Sequence, residues 1–363
     1  MKGKRYLILL FILTLVLGST GCGNKERTTQ GGNHEVNSVT DTEAAVTEAA
    51  KEESAQEQKQ EDDAIEDSSQ AEKAIVYMIK EISPESLIRI YEALNREASG
   101  KVAVKVHMGE PGGHNYLKPE LVKDFVLLVN GTFVDCNTAY GGGRANTAAH
   151  LQAAEDHGFT EYAAVDILDA EGAIALPIVN GKHLSEDLVG SHYENYDFII
   201  VLSHFKGHSM GGFGGAIKNM SIGFASSEGK NLIHNAGKGN TNKWLRGGYS
   251  QNEFLESMAE AAKAIVDDAG ENILYISIMN NLSVDCDCDA SPAAPVLADI
   301  GILASLDPVA LDRACVDLVY EADEITSASL RNRIESRNGT HTLDYAEELG
   351  VGSQAYEVVM IDE

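Results

Sequence analysis

Short apolar segments alternate with segments of helical length from Ala74 onward, and this alternation constrains the fold more than any other feature of the sequence. The predicted strands are Val102–Met108, Phe133–Cys136, Ala163–Ile167, Phe198–Ser203, Leu274–Met279 and Ile300–Ala304. The predicted helices are Pro84–Asn95, Pro119–Leu128, Asn146–His157, Phe254–Ala269 and Pro308–Tyr320. Such alternation indicates an α/β fold with a mainly parallel sheet and helices on both faces. The length of this part, about 290 residues, allows one large domain or two interleaved lobes.

The N-terminal segment has the composition of an export signal. A basic start, Met1–Arg5, is followed by the apolar run Tyr6–Leu17 and by small residues that lead to Cys22. This order predicts a signal peptide over residues 1–21, and the apolar run is shorter than the roughly 20 residues that span a bilayer. The small residues before Cys22 resemble the lipobox of bacterial lipoproteins. The resemblance implies that Cys22 carries a lipid and that the protein is anchored at the extracytoplasmic face of the cell membrane, with a freely secreted protein as the alternative.

Residues 22–72 have a composition that disfavours a packed core. They are rich in Glu, Asp, Gln, Ser, Thr and Ala and contain no aromatic residue. Such a segment buries too little apolar surface to offset its ordering entropy, so we expect a disordered acidic tether before an α/β domain at 73–363. The net charge of −28 argues against nucleic-acid binding, which requires a basic surface.

Polar side chains follow four of the predicted strands at the points where these strands end. His107 lies at the end of the first, Arg144 comes after the second, His204 and His208 follow the fourth, and a thiol-rich segment follows the fifth. In open parallel sheets, ligands bind beyond the carboxyl ends of the strands. We therefore expect one functional site at this edge of the sheet.

Imidazole and thiol groups predict a transition-metal site there. The predicted ligands are His204, His208, Cys286 and Cys288. If Asp285–Asp289 is extended, both thiols point to one face and the three carboxylates to the other, and a thiol face suits zinc or iron. The alternative is a pair of loop histidines bonded to backbone and a pair of buried free cysteines. No C-x-x-C pair is present, so an iron–sulfur cluster is not expected.

A glycine-rich run and two basic residues predict a site for a small anionic ligand. Backbone N–H groups between Gly211 and Asn219 could form an anion cradle, and Arg144 could clamp a carboxylate or phosphate with two hydrogen bonds. The predicted ligand-binding residues are Arg144, Lys218, Gly211, Gly212, Gly214 and Gly215. Close packing of two backbones at the glycines is the alternative.

Several segments resemble the family named domain of unknown function (DUF) 362. They are Lys105–Glu110, Ser203–His208 with the following glycines through Asn219, Asp285–Asp289, Ser305–Ala310 and Glu335–His341. Many members carry a ferredoxin-like insert with two four-iron clusters. The corresponding place here, 244–253, is too short and has no cysteine, so the chain resembles a member that lacks the insert.

A fainter similarity is to the nickel-pincer lactate racemase family. There, a histidine precedes a glycine-rich loop with a basic residue, as His204 precedes Gly211–Lys218 here. This similarity implies a racemase-like enzyme with an organic nickel cofactor, in which His204 or His107 is the proton-transfer base. The expected function is thus a metal-binding lipoprotein that binds or acts on a small anion, with a metal-free solute-binding protein or a racemase-like enzyme as alternatives.

Overall fold

A computed structural model describes residues 73–239, 241–245 and 247–361. The predicted signal peptide, the lipid attachment at Cys22 and the acidic tether lie outside the described residues. The strands are β1 Ala74–Ile79, β2 Val102–Lys105, β3 Gly131–Asp135, β4 Val165–Ile167, β5 Ala173–Pro177, β6 Glu186–Gly190, β7 Phe198–His204, β8 Lys206–His208, β9 Gly212–Gly214, β10 Ile273–Met279, β11 Gly301–Ser305 and β12 Tyr356–Met360. The α-helices are α1 Pro84–Ala93, α2 Pro119–Leu128, α3 Thr147–Asp156, α4 Ala216–Phe224, α5 Ser227–His234, α6 Gln251–Ala269, α7 Pro308–Glu321, α8 Glu324–Ser336 and α9 His341–Glu348.

Eight strands form one sheet in the order β12-β1-β11-β10-β7-β2-β3-β4. All neighbouring pairs are parallel except those that involve β11, which runs antiparallel to both β1 and β10. The prediction of an α/β fold with a mainly parallel sheet is therefore confirmed. The described residues belong to one compact unit, and two lobes are not distinguished within it.

Both faces of the sheet are buried, which explains why the central strands read as continuous apolar runs. Along β7, Ile199 and Val201 belong to one hydrophobic cluster, whereas Ile200 and Leu202 belong to the other. Helices α4 to α9 contribute to the first cluster, and α1 to α3 contribute to the second. No helix among the described residues has the length and apolar composition needed to cross a membrane.

The thiol segment does not have the extended geometry that would place both thiols on one face. The segment Asp285–Asp289 is a turn, so its three carboxylates point to different surroundings. His204 ends β7, and His208 ends the short strand β8. Strand β8 pairs with β9 in an antiparallel hairpin that contains three of the predicted cradle glycines, Gly211, Gly212 and Gly214.

Candidate metal and anion site

A cavity of about 280 Å³ lies at the carboxyl ends of β2, β3 and β7. The strand ends supply Lys105, Asp135 and His204, and the helices α4 and α5 supply Lys218 and Lys230. The other lining residues that concern its chemistry are His107, Arg144, Lys206, His208, Asn219, His234, Trp244, Cys286 and Cys288. The structure thus brings side chains from widely separated segments together at one edge of the sheet.

Three potential metal ligands meet in the wall of this cavity. Ligand atoms of His208, Cys286 and Cys288 all lie within 4.8 Å of one another. His208 and Cys286 are buried, whereas Cys288 is half-buried. A hydrogen bond from Cys288, together with nearby His208 and Lys218, holds the pKa of the Cys286 thiol well below its usual value although burial opposes this. The cluster therefore favours a thiolate, the form in which cysteine binds metals.

The backbone fixes the orientation of the His208 ring. The amide of Gly211 donates to Nδ1 at 2.8 Å, and the amide of Met210 donates to the same atom at 3.3 Å. The proton of the neutral imidazole is consequently on Nε2. Burial, followed by the charge of Lys218, lowers the pKa of His208 to about 4, so the ring is neutral near pH 7.

His204 does not join the three clustered ligands, and the prediction that it binds the metal is corrected. Its Nδ1 lies 2.9 Å from Oδ2 of Asp287, and its Nε2 lies 2.6 Å from the carbonyl oxygen of Asn280. Lys206 completes the group, since its Nζ lies 2.6 Å from the same oxygen of Asp287. With both ring nitrogens engaged by the protein, His204 is also not available as a proton-transfer base. Its role is to anchor the turn that carries the cysteines.

Arg144 is held by internal partners, so the prediction that it clamps a ligand is corrected. Its Nε contacts Glu110 at 3.0 Å, Nη1 contacts Asp135 at 3.2 Å, and Nη2 contacts both the hydroxyl of Tyr140 and Nε2 of His107 at 3.1 Å. Arg144 is 2% exposed. Arg144 therefore supports the cavity wall.

His107 lines the cavity but is a poor base. Burial, followed by the charge of Arg144, lowers its pKa well below the usual value for histidine. The Gly109 amide also donates to Nδ1 of His107 at 3.1 Å, and Arg144 faces the other ring nitrogen. Neither histidine that the sequence suggested as a catalytic base has the free, basic nitrogen that this role requires.

The glycine-rich run does not offer a vacant anion cradle, because the chain fills it with its own carboxylate. Asp312 on α7 accepts hydrogen bonds from the amides of Ala216 at 2.6 Å and Ile217 at 3.0 Å, the first residues of α4. A Cβ at Gly215 would lie 2.2 Å from Asp312 Oδ1, so the glycine permits this contact. Gly211 and Gly212 lie outside the cavity lining, whereas Gly214 and Gly215 belong to it. Close packing of two backbones accounts for Gly212, whose Cβ would lie 2.9 Å from Cα of Gly339.

Lys218 is the predicted anion-binding residue that keeps a free charge. It lies half-buried on α4, lines the cavity and has no hydrogen-bond or ion-pair partner among the described residues. The other lysines of the cavity are engaged: Lys105 pairs with Asp135 at 3.2 Å, Lys206 pairs with Asp287, and Nζ of Lys230 donates to the carbonyl of Ala225.

Two further aromatic residues, His234 and Trp244, line the cavity. The Nδ1 atom of His234 donates to the Lys230 carbonyl at 2.6 Å, which leaves the lone pair on Nε2. The ring centroids of Trp244 and His234 lie 4.7 Å apart. The sequence gives no sign that these two residues reach the cavity, because α5 and the segment after it were not predicted to lie there.

The fold and site define an α/β protein with a thiol-containing, lysine-rich cavity at the edge of its sheet. The chain belongs to the family described as domain of unknown function DUF362, whose sequence profile matches residues 102–317. No curated protein matches the chain.

Two solved structures are similar to the chain at low identity. One is the lactate racemase apoprotein from Thermoanaerobacterium thermosaccharolyticum, with 14% identity, a TM-score of 0.40, and coverage of 68% of this chain and 57% of that chain. The other is a protein from Thermotoga maritima, with 13% identity, a TM-score of 0.39, and coverage of 64% and 57%. This chain thus spans less than two thirds of the length of either structure.

Proposed function

We propose that His208, Cys286 and Cys288 bind a transition metal, zinc or iron, and that the open side of this metal binds a small anionic ligand in the cavity. The observation that carries the proposal is the convergence of the three ligand atoms within 4.8 Å in the cavity wall. Three protein ligands with a vacant fourth position are the arrangement of reactive zinc sites, whereas structural zinc sites use four. Thiolate ligands select soft or borderline metals over magnesium and calcium.

Metal binding has a cost at His208. Coordination through Nε2 moves the ring proton to Nδ1 and removes the hydrogen bonds from the Met210 and Gly211 amides. Each buried donor left unsatisfied costs about 1–3 kcal/mol, so the two amides and the Nδ1 proton together cost roughly 3–9 kcal/mol. Structural zinc binding in zinc-finger peptides contributes about 10–16 kcal/mol, which exceeds this cost.

Lys218 supplies the charge that attracts the anion. Its unpaired ammonium lies close enough to the thiols to lower the pKa of Cys286, so a ligand on the metal would also lie near Lys218. A carboxylate or phosphate oxygen is the chemical group that would satisfy both the metal and the ammonium.

Metal analysis of the full-length protein tests this proposal. After preparation under anaerobic, metal-replete conditions, we expect about one zinc or iron per chain. Cys286→Ser and His208→Gln should lower the content, whereas His157→Gln should not, because His157 contacts the Met108 carbonyl and not the thiols. A wild-type protein without transition metal would contradict the proposal.

A metal-free solute-binding protein is the second candidate, and the unpaired Lys218 favours it independently of the thiols. In that case, thermal stabilisation by small carboxylates or phosphate would persist in the presence of a chelator. A racemase-like reaction through His204 or His107 has less support, because the contacts described above leave neither ring as a base.

We also propose that the protein is exported and anchored at the extracytoplasmic face of the cell membrane through a lipid on Cys22. The support is the basic, apolar and small-residue order of residues 1–21. Cys22→Ser should move the protein from the membrane fraction to the soluble fraction after cell breakage. A Cys22→Ser protein that remains in the membrane fraction would contradict this proposal.

A further inference from the structure

Cys286 and Cys288 lie where a disulfide between them requires little movement. They are two residues apart in a turn, and their sulfur atoms lie within 4.8 Å of each other. The amide of Cys288 already donates to Sγ of Cys286 at 3.3 Å. Residues two apart span at most about 7 Å between Cα atoms, and a turn shortens this to the range of disulfides. Rotation of the two side chains is then the main change needed.

Small reagents can reach this pair from two sides. Both cysteines line the inner cavity, and both also line an outer depression together with Tyr140, Ser209 and Asp289. By contrast, Cys315 is fully buried, and burial raises the pKa of its thiol well above the usual value. Among the described cysteines, this pair lines the two cavities and includes the half-buried Cys288, whereas Cys315 serves as an internal control.

The surroundings of the pair favour thiol–disulfide exchange. The Sγ atom of Cys286 accepts a hydrogen bond from the Cys288 amide at 3.3 Å, and both cysteines line the cavity together with His208 and Lys218. A thiolate with an adjacent second thiol is the arrangement that attacks a disulfide and then resolves the mixed disulfide. The unpaired charge of Lys218 favours an anionic disulfide over a cationic one.

We propose that Cys286 and Cys288 form a reversible disulfide by exchange with a small anionic disulfide such as glutathione disulfide, and that this bridge prevents metal binding. The Cys286 thiolate attacks one sulfur of the reagent and releases one thiolate. The Cys288 thiol loses its proton and attacks Sγ of Cys286, which forms the intramolecular bond and releases the second reagent thiol. The protein pair loses two electrons, and the reagent gains them. The disulfide stands on the cysteine geometry alone, whereas its effect on metal binding rests on the proposed function.

Disulfide mapping on the full-length chain tests the exchange. Reduced, metal-free protein is incubated with glutathione disulfide, digested and analysed by mass spectrometry. We expect a Cys286–Cys288 bridge and release of two glutathione thiols, roughly tenfold or more faster than any modification of Cys315. Cys288→Ser should stop at a glutathione adduct on Cys286, and Cys315→Ser should behave as the wild type.

Zinc uptake by the same samples separates the two proposals. The oxidised protein should bind no zinc at the site, and a reductant should restore the uptake of the reduced protein. If no Cys286–Cys288 bridge is found while the reduced protein binds zinc, the redox proposal is overturned and the metal site stands. If the bridge forms but zinc uptake is unchanged, the bridge does not control the metal and that part of the inference is wrong. If the bridge forms while reduced protein binds no metal, the exchange stands and the proposed function fails.

Discussion

Oδ2 of Asp287 lies 2.9 Å from Nδ1 of His204, although the two residues are 83 positions apart in the chain. Asp287 stands between the two cysteines in the sequence. Its carboxylate is fully buried and also pairs with Lys206. Burial alone would raise the pKa of Asp287, but His204 and Lys206 lower it below the usual value. This contact joins the end of β7 to the turn that carries the thiols, so the geometry of the candidate metal site depends on it.

Asp287→Asn should destabilise the protein strongly. The change leaves the buried Lys206 ammonium without its counter-charge, and breaking a buried pair in this way costs about 3–5 kcal/mol. Urea unfolding at neutral pH measures the loss. Asp285→Asn is the matched control on the same turn, because its ion pair with Arg333 is partly exposed and such pairs contribute about 0–1 kcal/mol. Equal losses for the two variants would contradict the anchoring role of Asp287.

Asp187→Asn should remove part of the pH dependence of stability. Asp187 on β6 is fully buried, the backbone amide of Leu188 lies beside its carboxylate, and Lys230 and Tyr193 are the ionisable groups near it. Burial raises its pKa to about 8 despite the charge of Lys230. Between about pH 4 and 8, the folded state therefore holds a proton that the unfolded state, with a pKa near 3.8, has already lost.

The free energy of unfolding of the wild type should therefore fall relative to Asp187→Asn as the pH rises from about 4 to 8, by at most about 1.4 kcal/mol per pH unit. Urea titrations of both proteins across this range measure the difference. Asp312, whose pKa burial raises to about 7, adds a slope of the same sign to both proteins and cancels in the comparison. A constant difference across the range would show that Asp187 is ionised in the folded protein.

Gly207→Ala should disturb the cysteine turn. A Cβ at this position would lie 2.2 Å from the carbonyl oxygen of Val284, and this neighbour is backbone that cannot rotate away. Overpacking of this kind costs about 1–3 kcal/mol, and we expect weaker zinc binding as well, because Val284 leads directly into the turn. Gly214→Ala is the matched control in the same hairpin, since its Cβ would meet only side-chain atoms at 3.6 Å or more. Thermal unfolding and zinc titration of both variants check the prediction.

Lys218→Met should weaken the binding of small anions about tenfold, because it removes the unpaired positive charge beside the thiols. Trp244 is the only tryptophan in the sequence and lines the cavity, so its fluorescence reports binding directly. Titrations with acetate, phosphate and sulfate are the measurement. Lys123→Met on α2, on the opposite face of the sheet, is the control and should leave the affinity unchanged. Unaltered affinity in Lys218→Met would place the anion elsewhere.

The regular elements could be predicted from local patterns. Helix α2 begins and ends at the predicted residues, Pro119 and Leu128, because a proline at its first position and an apolar periodicity define it locally. Helices α4 and α5 were not predicted, since the preceding glycines indicate a loop and the capping carboxylate of α4 comes from Asp312, almost one hundred residues later.

The residue types of the candidate site could be predicted, but not which of them remain free. His208, Cys286 and Cys288 converge, whereas His204 and Arg144 are engaged by Asp287, Glu110 and Asp135. A pattern of strand ends places side chains at one edge of a sheet, but the pairing of a buried charge depends on contacts between distant segments. Lys218 has no such partner among the described residues, and the sequence does not show this difference from Arg144.

The Asp312 carboxylate occupies the position at the start of α4 that a bound phosphate takes at the start of other helices. Because this carboxylate already accepts hydrogen bonds from the first amides of α4, the start of the helix adds no affinity for a bound oxyanion to the cavity. The same arrangement ties the orientation of Lys218, two residues into that helix, to a side chain on α7. A change in the packing of α7 that displaces Asp312 should therefore also displace the start of α4 and, with it, the Lys218 ammonium.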